Sequence, residues 1–172
     1  MTKKEYSTEI GGTRLSATFS DLTDQANGSV MVRVGGTAVL ATAVMGKENR
    51  GDIDYLPLVV DYEERFYAAG LLLGGRFMKR EGRPSDEAIL TGRIVDRTIR
   101  PLFDQSIRRD IQVVITVLSV DGDNDPDIPS IIAASLALGT ADIPWGGPVG
   151  AVRISGGHDG TLAINPSYSV RE

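Results

Sequence analysis

Arginines are the side chains in this sequence whose type and spacing could do chemistry. Arg93, Arg97 and Arg100 follow one another at i, i+4 and i+7. If this stretch is helical, the three side chains fall within roughly 60° of one another, on one narrow stripe. Like charges held this close repel unless an anion lies between them, and guanidinium groups bind phosphate oxygens in a bidentate manner. The stripe therefore predicts a contact with phosphate.

A basic segment lies directly upstream of this stripe. Phe77 stands within it and could offer a stacking surface to a nucleic-acid base. Residues 76–109 include nine basic and five acidic residues, a net charge of +4, whereas the whole chain has −5. Positive charge is thus concentrated in one region. Its basic members before the helix are Arg76, Lys79, Arg80 and Arg83.

The same arginines also admit a purely structural interpretation. Asp96 could pair with Arg93 or Arg100, and Asp86 falls on nearly the same helical face as Arg93. A solvated helix with intrahelical ion pairs would then account for the spacing alone. The basic segment with Phe77 immediately upstream favours anion binding over this alternative.

The helix that must carry the stripe has clear end signals. Ser85 is expected to cap its N-terminus, and the acidic residues that follow suit the positive end of the helix dipole. The helix should end at about Arg100, because Pro101 follows. A second, apolar helix is predicted at 128–138.

The second helix is expected to pack against a sheet, with Asp127 as its cap and Gly139 as its end. The residues before it, 121–127, are interpreted as a solvated acidic turn. Two Gly-Gly pairs predict hairpin turns between strands. The predicted strands are 7–10, 13–20, 29–34, 37–44, 55–62, 111–120 and a last hairpin of 149–154 with 161–164. This order predicts one α+β domain with a mixed sheet.

Composition excludes several classes of protein. The chain has no cysteine, which excludes a disulfide framework and thiolate metal sites. Its hydrophobic fraction of 41% is enough for a core. The polar N-terminus and the short apolar stretch at 68–73 predict a soluble, cytoplasmic protein without a membrane span.

Four segments of the sequence resemble the first core domain of the bacterial polynucleotide phosphorylase family. They are 80–86 (Arg-Glu-Gly-Arg-Pro-Ser-Asp), 93–103 (Arg-Ile-Val-Asp-Arg-Thr-Ile-Arg-Pro-Leu-Phe), 28–40 (Gly-Ser-Val-Met-Val-Arg-Val-Gly-Gly-Thr-Ala-Val-Leu) and 124–128 (Asn-Asp-Pro-Asp-Ile). The resemblance implies an RNase PH-like core, also described as ribosomal protein S5 domain 2-like, with a mixed β-sheet and packed helices. It implies that residues 1–172 are this first core, incomplete at the C-terminus.

The resemblance also implies a function. Members of this family degrade RNA from its 3′ end, use inorganic phosphate as co-substrate and release nucleoside diphosphates. They form homotrimeric rings of paired cores that thread single-stranded RNA, act in mRNA degradation and meet other proteins of the RNA-degradation machinery. Phosphorolysis with Mg²⁺ belongs to the second core, so this chain should bind and guide RNA without carrying a catalytic or metal-binding residue.

The resemblance carries over to individual residues in this sequence. The family's channel loop, Phe-Phe-Arg-Arg, matches residues 77–80, where Met78 and Lys79 depart from the pattern. The RNA-binding residues expected on this basis are Phe77, Lys79, Arg80, Arg83, Arg93, Arg97 and Arg100.

Two other functions stay open at this stage. One is a non-catalytic RNA-binding ring subunit of an exosome-like assembly. The other, a single-core RNase PH-type nuclease, is disfavoured because carboxylates crowd the start of the second helix, where phosphate would need donors. His158 is expected to be an exposed bystander, and Trp145 to serve packing.

Overall fold

The computed structural model describes residues 3–72, 82–156 and 162–171. Its main body is one mixed sheet with two helices packed on one face. The strands are β1 (Lys3–Ile10), β2 (Thr13–Ser20), β3 (Gly28–Val34), β4 (Thr37–Asn49), β5 (Leu58–Glu63) and β6 (Arg109–Ser119). The helices are α1 (Asp86–Ile99) and α2 (Asp127–Thr140). A two-stranded sheet of β7 (Ile154–Gly156) and β8 (Leu162–Ile164) and a short helix α3 (Tyr168–Arg171) follow.

The six strands lie in the order β1-β2-β3-β4-β6-β5. Neighbours pair antiparallel from β1 through β6, and β5 joins β6 in parallel. The parallel pair needs a crossover connection, and α1 lies in it. The predicted α+β class with a mixed sheet is confirmed.

The two Gly-Gly hairpins are confirmed, and their turns need glycine. Gly11 and Gly12 have φ of 60° and 78°, and Gly35 has 56°. Positive φ at these positions matches the right-handed twist of the strands but is disfavoured for side chains with a Cβ. Each hairpin therefore closes with a tight turn that fixes the register of its two strands.

The core lies between the sheet and the two helices. Alternate residues of the central strands point to the helices and are fully buried, as are Val95 and Ile99 of α1. On α2 most of the buried residues are alanine or serine, so the helix can approach the sheet closely. Burying each aliphatic side chain contributes roughly 1.5–3 kcal/mol, which makes this layer the main source of stability. Its buried members include Val30, Val32, Val39, Ala41, Val113, Ile115, Ala133, Ala134 and Ala137.

The predicted end of α2 was wrong, and that of α1 was right. Gly139 does not end α2, because it lacks the positive φ that terminates a helix, and the helix runs on to Thr140. At this end of α2 the Thr140 hydroxyl donates a hydrogen bond to the Leu136 carbonyl at 2.8 Å. The predicted end of α1 at about Arg100 is confirmed, since α1 ends at Ile99 with Arg100 as its C-cap, and Pro101 lies within the 3₁₀ turn, Arg100–Leu102, that follows.

At the C-terminal end of the chain, β7 begins only at Ile154, whereas the strand was predicted from 149, and α3 was not predicted. Trp145 serves packing, as predicted: its indole nitrogen donates to the Ile99 carbonyl at 3.2 Å, and its ring lies 6.3 Å from that of Phe103. Within the described ranges, no helix is long and apolar enough to cross a membrane.

Candidate nucleic-acid interface

Helix α1 positions the candidate arginines. The Ser85 hydroxyl accepts the Ala88 N–H at 3.0 Å and donates to Glu64 at 2.7 Å, so the predicted N-cap is confirmed and tied to the end of β5. One side of the helix is buried against the sheet and α2. The opposite side must therefore face outward. The buried residues of α1 are Ala88, Gly92, Val95 and Ile99.

Three of the predicted arginines are exposed. Arg93 and Arg97 lie on the outward side of α1, and Arg83 lies just before its N-terminus. Among the described residues, none of the three has a hydrogen-bond or ion-pair partner. Their guanidinium groups can therefore bind an anion without first breaking a contact within this part of the fold.

Arg100 has different surroundings. Its guanidinium donates to both carboxylate oxygens of Asp96, at 2.9 and 2.6 Å, and to the Leu58 carbonyl at 2.9 Å. The side chain is 36% exposed. The pairing with Asp96 considered above thus exists for this arginine, and it ties the end of α1 to the start of β5. A contact of Arg100 with RNA stays a prediction.

Two neighbouring clefts border the arginines. One, of ≈ 500 Å³, runs between α1 and β5 and includes Arg93 and Arg100. The other, also ≈ 500 Å³, opens beside the start of α1 and includes Arg83 and Ser85. Both are lined by Tyr62, Glu63 and Pro84, so they adjoin.

The carboxylates in these clefts are largely committed to partners. Glu63 pairs with Arg65 at 2.5 Å, and Asp61 accepts a hydrogen bond from Gln112 at 2.8 Å. Asp96 is held by Arg100. Glu64 accepts the Ser85 hydroxyl at 2.7 Å. Arg83 and Arg93 have no such partner among the described residues, so they are the positive groups that the clefts can offer to an anion.

The predicted loop residues Phe77, Lys79 and Arg80 lie outside the described residues, as does His158. Their roles stay predictions.

Exposed aliphatic residues share the outward side of α1 with the arginines. Ile89, Leu90 and Ile94 are 44%, 56% and 48% exposed. Phosphate binding does not require them, whereas aliphatic residues beside arginines are common where two proteins meet. Sequence reasoning missed this feature, although Leu90 and Ile94 are spaced i, i+4 beside the arginine stripe.

The turn before α2 is organised around Asp121. This carboxylate accepts the Gly36 N–H at 2.8 Å, the Asp123 and Asn124 N–H groups at 2.9 and 2.8 Å, and the Asn124 carboxamide at 2.7 Å. Burial by itself would raise the pKa of Asp121, but these donors outweigh burial and hold the pKa well below its ordinary value. The turn is therefore locked onto the β3–β4 hairpin.

Two further carboxylates of this turn, those of Asp125 and Asp127, are held by an arginine from the C-terminal segment. Arg153 donates to Asp125 and to Asp127, and the Tyr168 hydroxyl also donates to Asp125. The side chains of Asp125 and Asp127 are only 15% and 17% exposed. The prediction of a solvated turn was wrong for Asp125 and Asp127, because Arg153, 28 and 26 residues away in sequence, covers them.

Asp127 was also wrongly predicted as the cap of α2. The N-cap residue is Pro126, which makes no side-chain cap, and Asp127 accepts the N–H of Ile128 next to it.

The family model for RNase PH, described as the 3′ exoribonuclease family, domain 1, matches residues 13–144. This range includes β2 to β6, α1 and α2, with Arg83, Arg93, Arg97 and Arg100. This chain belongs to the 3′ exoribonuclease family.

Other members of the 3′ exoribonuclease family are similar over nearly the whole chain. A polyribonucleotide nucleotidyltransferase of Exiguobacterium sibiricum is 52% identical over 98% of this chain and 22% of its own length. The protein of the same name from Thermomicrobium roseum is 53% identical over 95% of this chain and 20% of its own length. The chain thus spans about a fifth of these relatives.

Solved structures agree on the fold. Rice (Oryza sativa) Rrp46 superposes with a TM-score of 0.70 at 19% identity, over 90% of this chain and 69% of its own. A chain of the Archaeoglobus fulgidus exosome with RNA bound to the active site gives 0.57 at 19% identity, over 96% of this chain and 66% of its own. The RNase PH-like core implied by the sequence is confirmed.

Proposed function

We propose that this chain is the RNA-guiding first core of a polyribonucleotide nucleotidyltransferase, a phosphate-dependent 3′→5′ exoribonuclease of mRNA degradation in the cytoplasm. Relatives of that name are about half identical over the whole chain. The observation that carries the proposal is a set of exposed arginines: Arg83 and Arg93 line two adjoining clefts, and Arg97 lies one helical turn beyond Arg93.

The arginines would act by holding the polymer. Single-stranded RNA has one negative charge per nucleotide, and guanidinium groups bind phosphate oxygens irrespective of base. Arg93 and Arg97 stand one helical turn apart on a rigid helix, so they present two fixed donors along a strand. The paired Arg100 would keep this helix in place on β5. Phe77, Lys79 and Arg80 would extend the contact through the channel loop.

Phosphorolysis itself would belong to the second core. Mg²⁺ prefers carboxylate oxygens that are free to coordinate it. The carboxylates before α2 do not fit this need, because Asp121 accepts several N–H donors and Asp125 and Asp127 are held by Arg153. The attacking inorganic phosphate and Mg²⁺ are therefore assigned to the other core.

The aliphatic residues on α1 support assembly with other protein. Ile89, Leu90 and Ile94 lie exposed beside the arginines, and covering them would remove apolar surface from water. We propose that this face contacts a neighbouring core within a homotrimeric ring, which would place the arginines at the border between protein and RNA. The ring would also be the body that meets other proteins of the RNA-degradation machinery.

A second candidate function is a non-catalytic RNA-binding subunit of an exosome-like ring. The fold that this chain shares with a chain of the Archaeoglobus fulgidus exosome is the observation behind it. Joining this chain to a second core distinguishes the two candidates. The first predicts that the joined protein releases nucleoside diphosphates in a phosphate-dependent reaction, whereas the second predicts RNA binding without turnover.

Salt dependence of RNA binding tests the arginine assignment. Replacing Arg83, Arg93 and Arg97 by Ala should reduce the log–log salt slope for single-stranded RNA by about 2 units, since each neutralised phosphate contributes ~0.7. A matched control replaces three other exposed basic residues, Arg14, Arg33 and Lys47, which lie on β2, β3 and β4. The control should keep its slope. An unchanged slope in a folded triple variant would remove these arginines from the interface.

A further inference from the structure

An asparagine followed by glycine lies at the entrance to β3. Asn27 accepts the Met45 N–H through its side-chain oxygen at 2.9 Å. The first backbone pair of the β3–β4 ladder is Gly28 with Ala43. The side chain of Asn27 thus extends the ladder beyond its last backbone pair and holds the end of β4 in place.

Gly28 is required by its packing against the end of α2. A Cβ at this position would lie 2.2 Å from the Ala137 carbonyl oxygen and 2.9 Å from the Ala141 Cβ. The first of these is a backbone atom of a packed helix and cannot move aside cheaply. The close approach of β3 to α2 thus requires glycine at position 28, and the hydrogen bond to the Met45 N–H uses the asparagine at position 27.

This dipeptide is chemically labile. The backbone nitrogen of a residue after asparagine can attack the side-chain carbonyl carbon, and glycine hinders the attack least because it has no Cβ. Closing that ring at Asn27 needs its carboxamide to leave the Met45 N–H and the Gly28 nitrogen to turn toward it. The packing of Gly28 against α2 opposes this rotation of its backbone nitrogen.

We propose that Asn27 is a site of spontaneous deamidation and isomerisation that the native contacts protect. The Gly28 nitrogen bonds to the Asn27 Cγ, the Cγ–Nδ2 bond breaks, and ammonia leaves with the proton of that nitrogen. Water then opens the resulting succinimide at either carbonyl and gives aspartate or isoaspartate. Nothing is oxidised or reduced, and no co-reactant besides water takes part.

The two products differ in what they do to the fold. Aspartate keeps an oxygen that can accept the Met45 N–H. Isoaspartate adds one methylene to the main chain, which displaces Gly28 from its seat against Ala137. A chain modified in this way cannot restore the native packing of β3 on α2, so the reaction makes an opening of this region permanent.

The chain provides its own comparison sites. Asn49 is exposed at the end of β4, and Arg50 follows it, so ring closure there is hindered by a side chain. Asn124 is followed by Asp125, and both its backbone N–H and its carboxamide donate to Asp121.

Peptide mass spectrometry of the unmodified chain, incubated in native buffer and in concentrated urea at mildly alkaline pH, tests the proposal. In urea, Asn27 should convert at least about tenfold faster than Asn49. In native buffer its conversion should be at least about tenfold slower than in urea, because reaction must await local opening. Equal rates in both solvents would refute protection, and a rate in urea no higher than that of Asn49 would refute the site.

Folding of the products gives a second readout. Chains incubated in urea and then refolded should divide into two populations, with isoaspartate enriched in the fraction that fails to regain native resistance to protease. Asn27→Asp, made genetically, should refold like the parent because it keeps the acceptor oxygen. Equal isoaspartate content in the two fractions would overturn the proposed effect on packing.

Discussion

Two arginines that share a helical face have opposite surroundings. Arg100 is held by Asp96 and the Leu58 carbonyl, whereas Arg97 is exposed without a partner in the described part of the chain. Arg100→Ala should lower the free energy of unfolding by about 1–3 kcal/mol, because it leaves a half-buried carboxylate without its partner. Arg97→Ala should change it by less than about 0.5 kcal/mol.

Urea denaturation of both variants measures this difference. Arg100→Lys serves as the control, since it keeps the charge but loses the planar fork and should fall between the parent and Arg100→Ala. Equal midpoints for the two alanine variants would show that the Asp96 pair does not stabilise the fold.

Asp121 predicts a pH dependence of stability. Its pKa is lower in the folded chain than in the unfolded chain, where a carboxyl titrates near about 4. The carboxylate therefore stabilises the fold fully above about pH 4, and this contribution is lost as the pH falls toward its folded pKa. Thermal unfolding at a series of pH values should show a flatter acid limb for Asp121→Asn, and parallel curves would contradict it.

At the scale of elements, two glycines make opposite predictions. Gly92 lies inside α1, where a Cβ would meet the Tyr62 Cβ at 3.5 Å, an ordinary contact. Gly92→Ala should therefore stabilise the chain by up to about 1 kcal/mol through helix propensity. Gly28→Ala should destabilise it by about 1–3 kcal/mol, because its Cβ would overlap the Ala137 carbonyl. Melting temperatures that shift in the same direction would contradict this account.

Elements with strong local signals could be predicted from the sequence, and those set by distant contacts could not. The Gly-Gly turns and the Ser85 cap depend on residues a few positions apart, which a sequence displays. The ion pairs of Asp125 and Asp127 depend on Arg153, which lies 28 and 26 residues away from them in sequence. No local sequence pattern around Asp125 or Asp127 predicts that Arg153 pairs with them.

The candidate site divides in the same way. Helical spacing placed Arg93 and Arg97 on one outward face, because 3.6-residue periodicity alone decides it. The hydrogen bond from Arg100 to the Leu58 carbonyl could not be predicted from helical spacing, because only the packing of α1 on β5 brings the two residues together.

For the whole molecule, we predict RNA binding without turnover. Incubated alone with single-stranded RNA, phosphate and Mg²⁺, this chain should release no nucleoside diphosphate. The start of α2 has proline as its N-cap and carboxylates nearby, so it offers few donors to an attacking phosphate. A control reaction with the full-length relative from Exiguobacterium sibiricum should release nucleoside diphosphate. If this chain alone releases nucleoside diphosphate, and mutation of its own residues abolishes that release, then the catalytic site lies in this chain and the prediction is wrong.

The position of β6 in the sheet has a consequence for synthesis on the ribosome. Strands β1 to β4 pair with their neighbours in sequence, so they can assemble as soon as they leave the exit tunnel. The free edge of β4 must then wait for β6, about sixty residues later, which takes several seconds at roughly 5–20 residues per second. During that interval a long apolar strand has an open edge. Nascent chains arrested between these strands should therefore recruit chaperones, and chains arrested after β6 has emerged should release them.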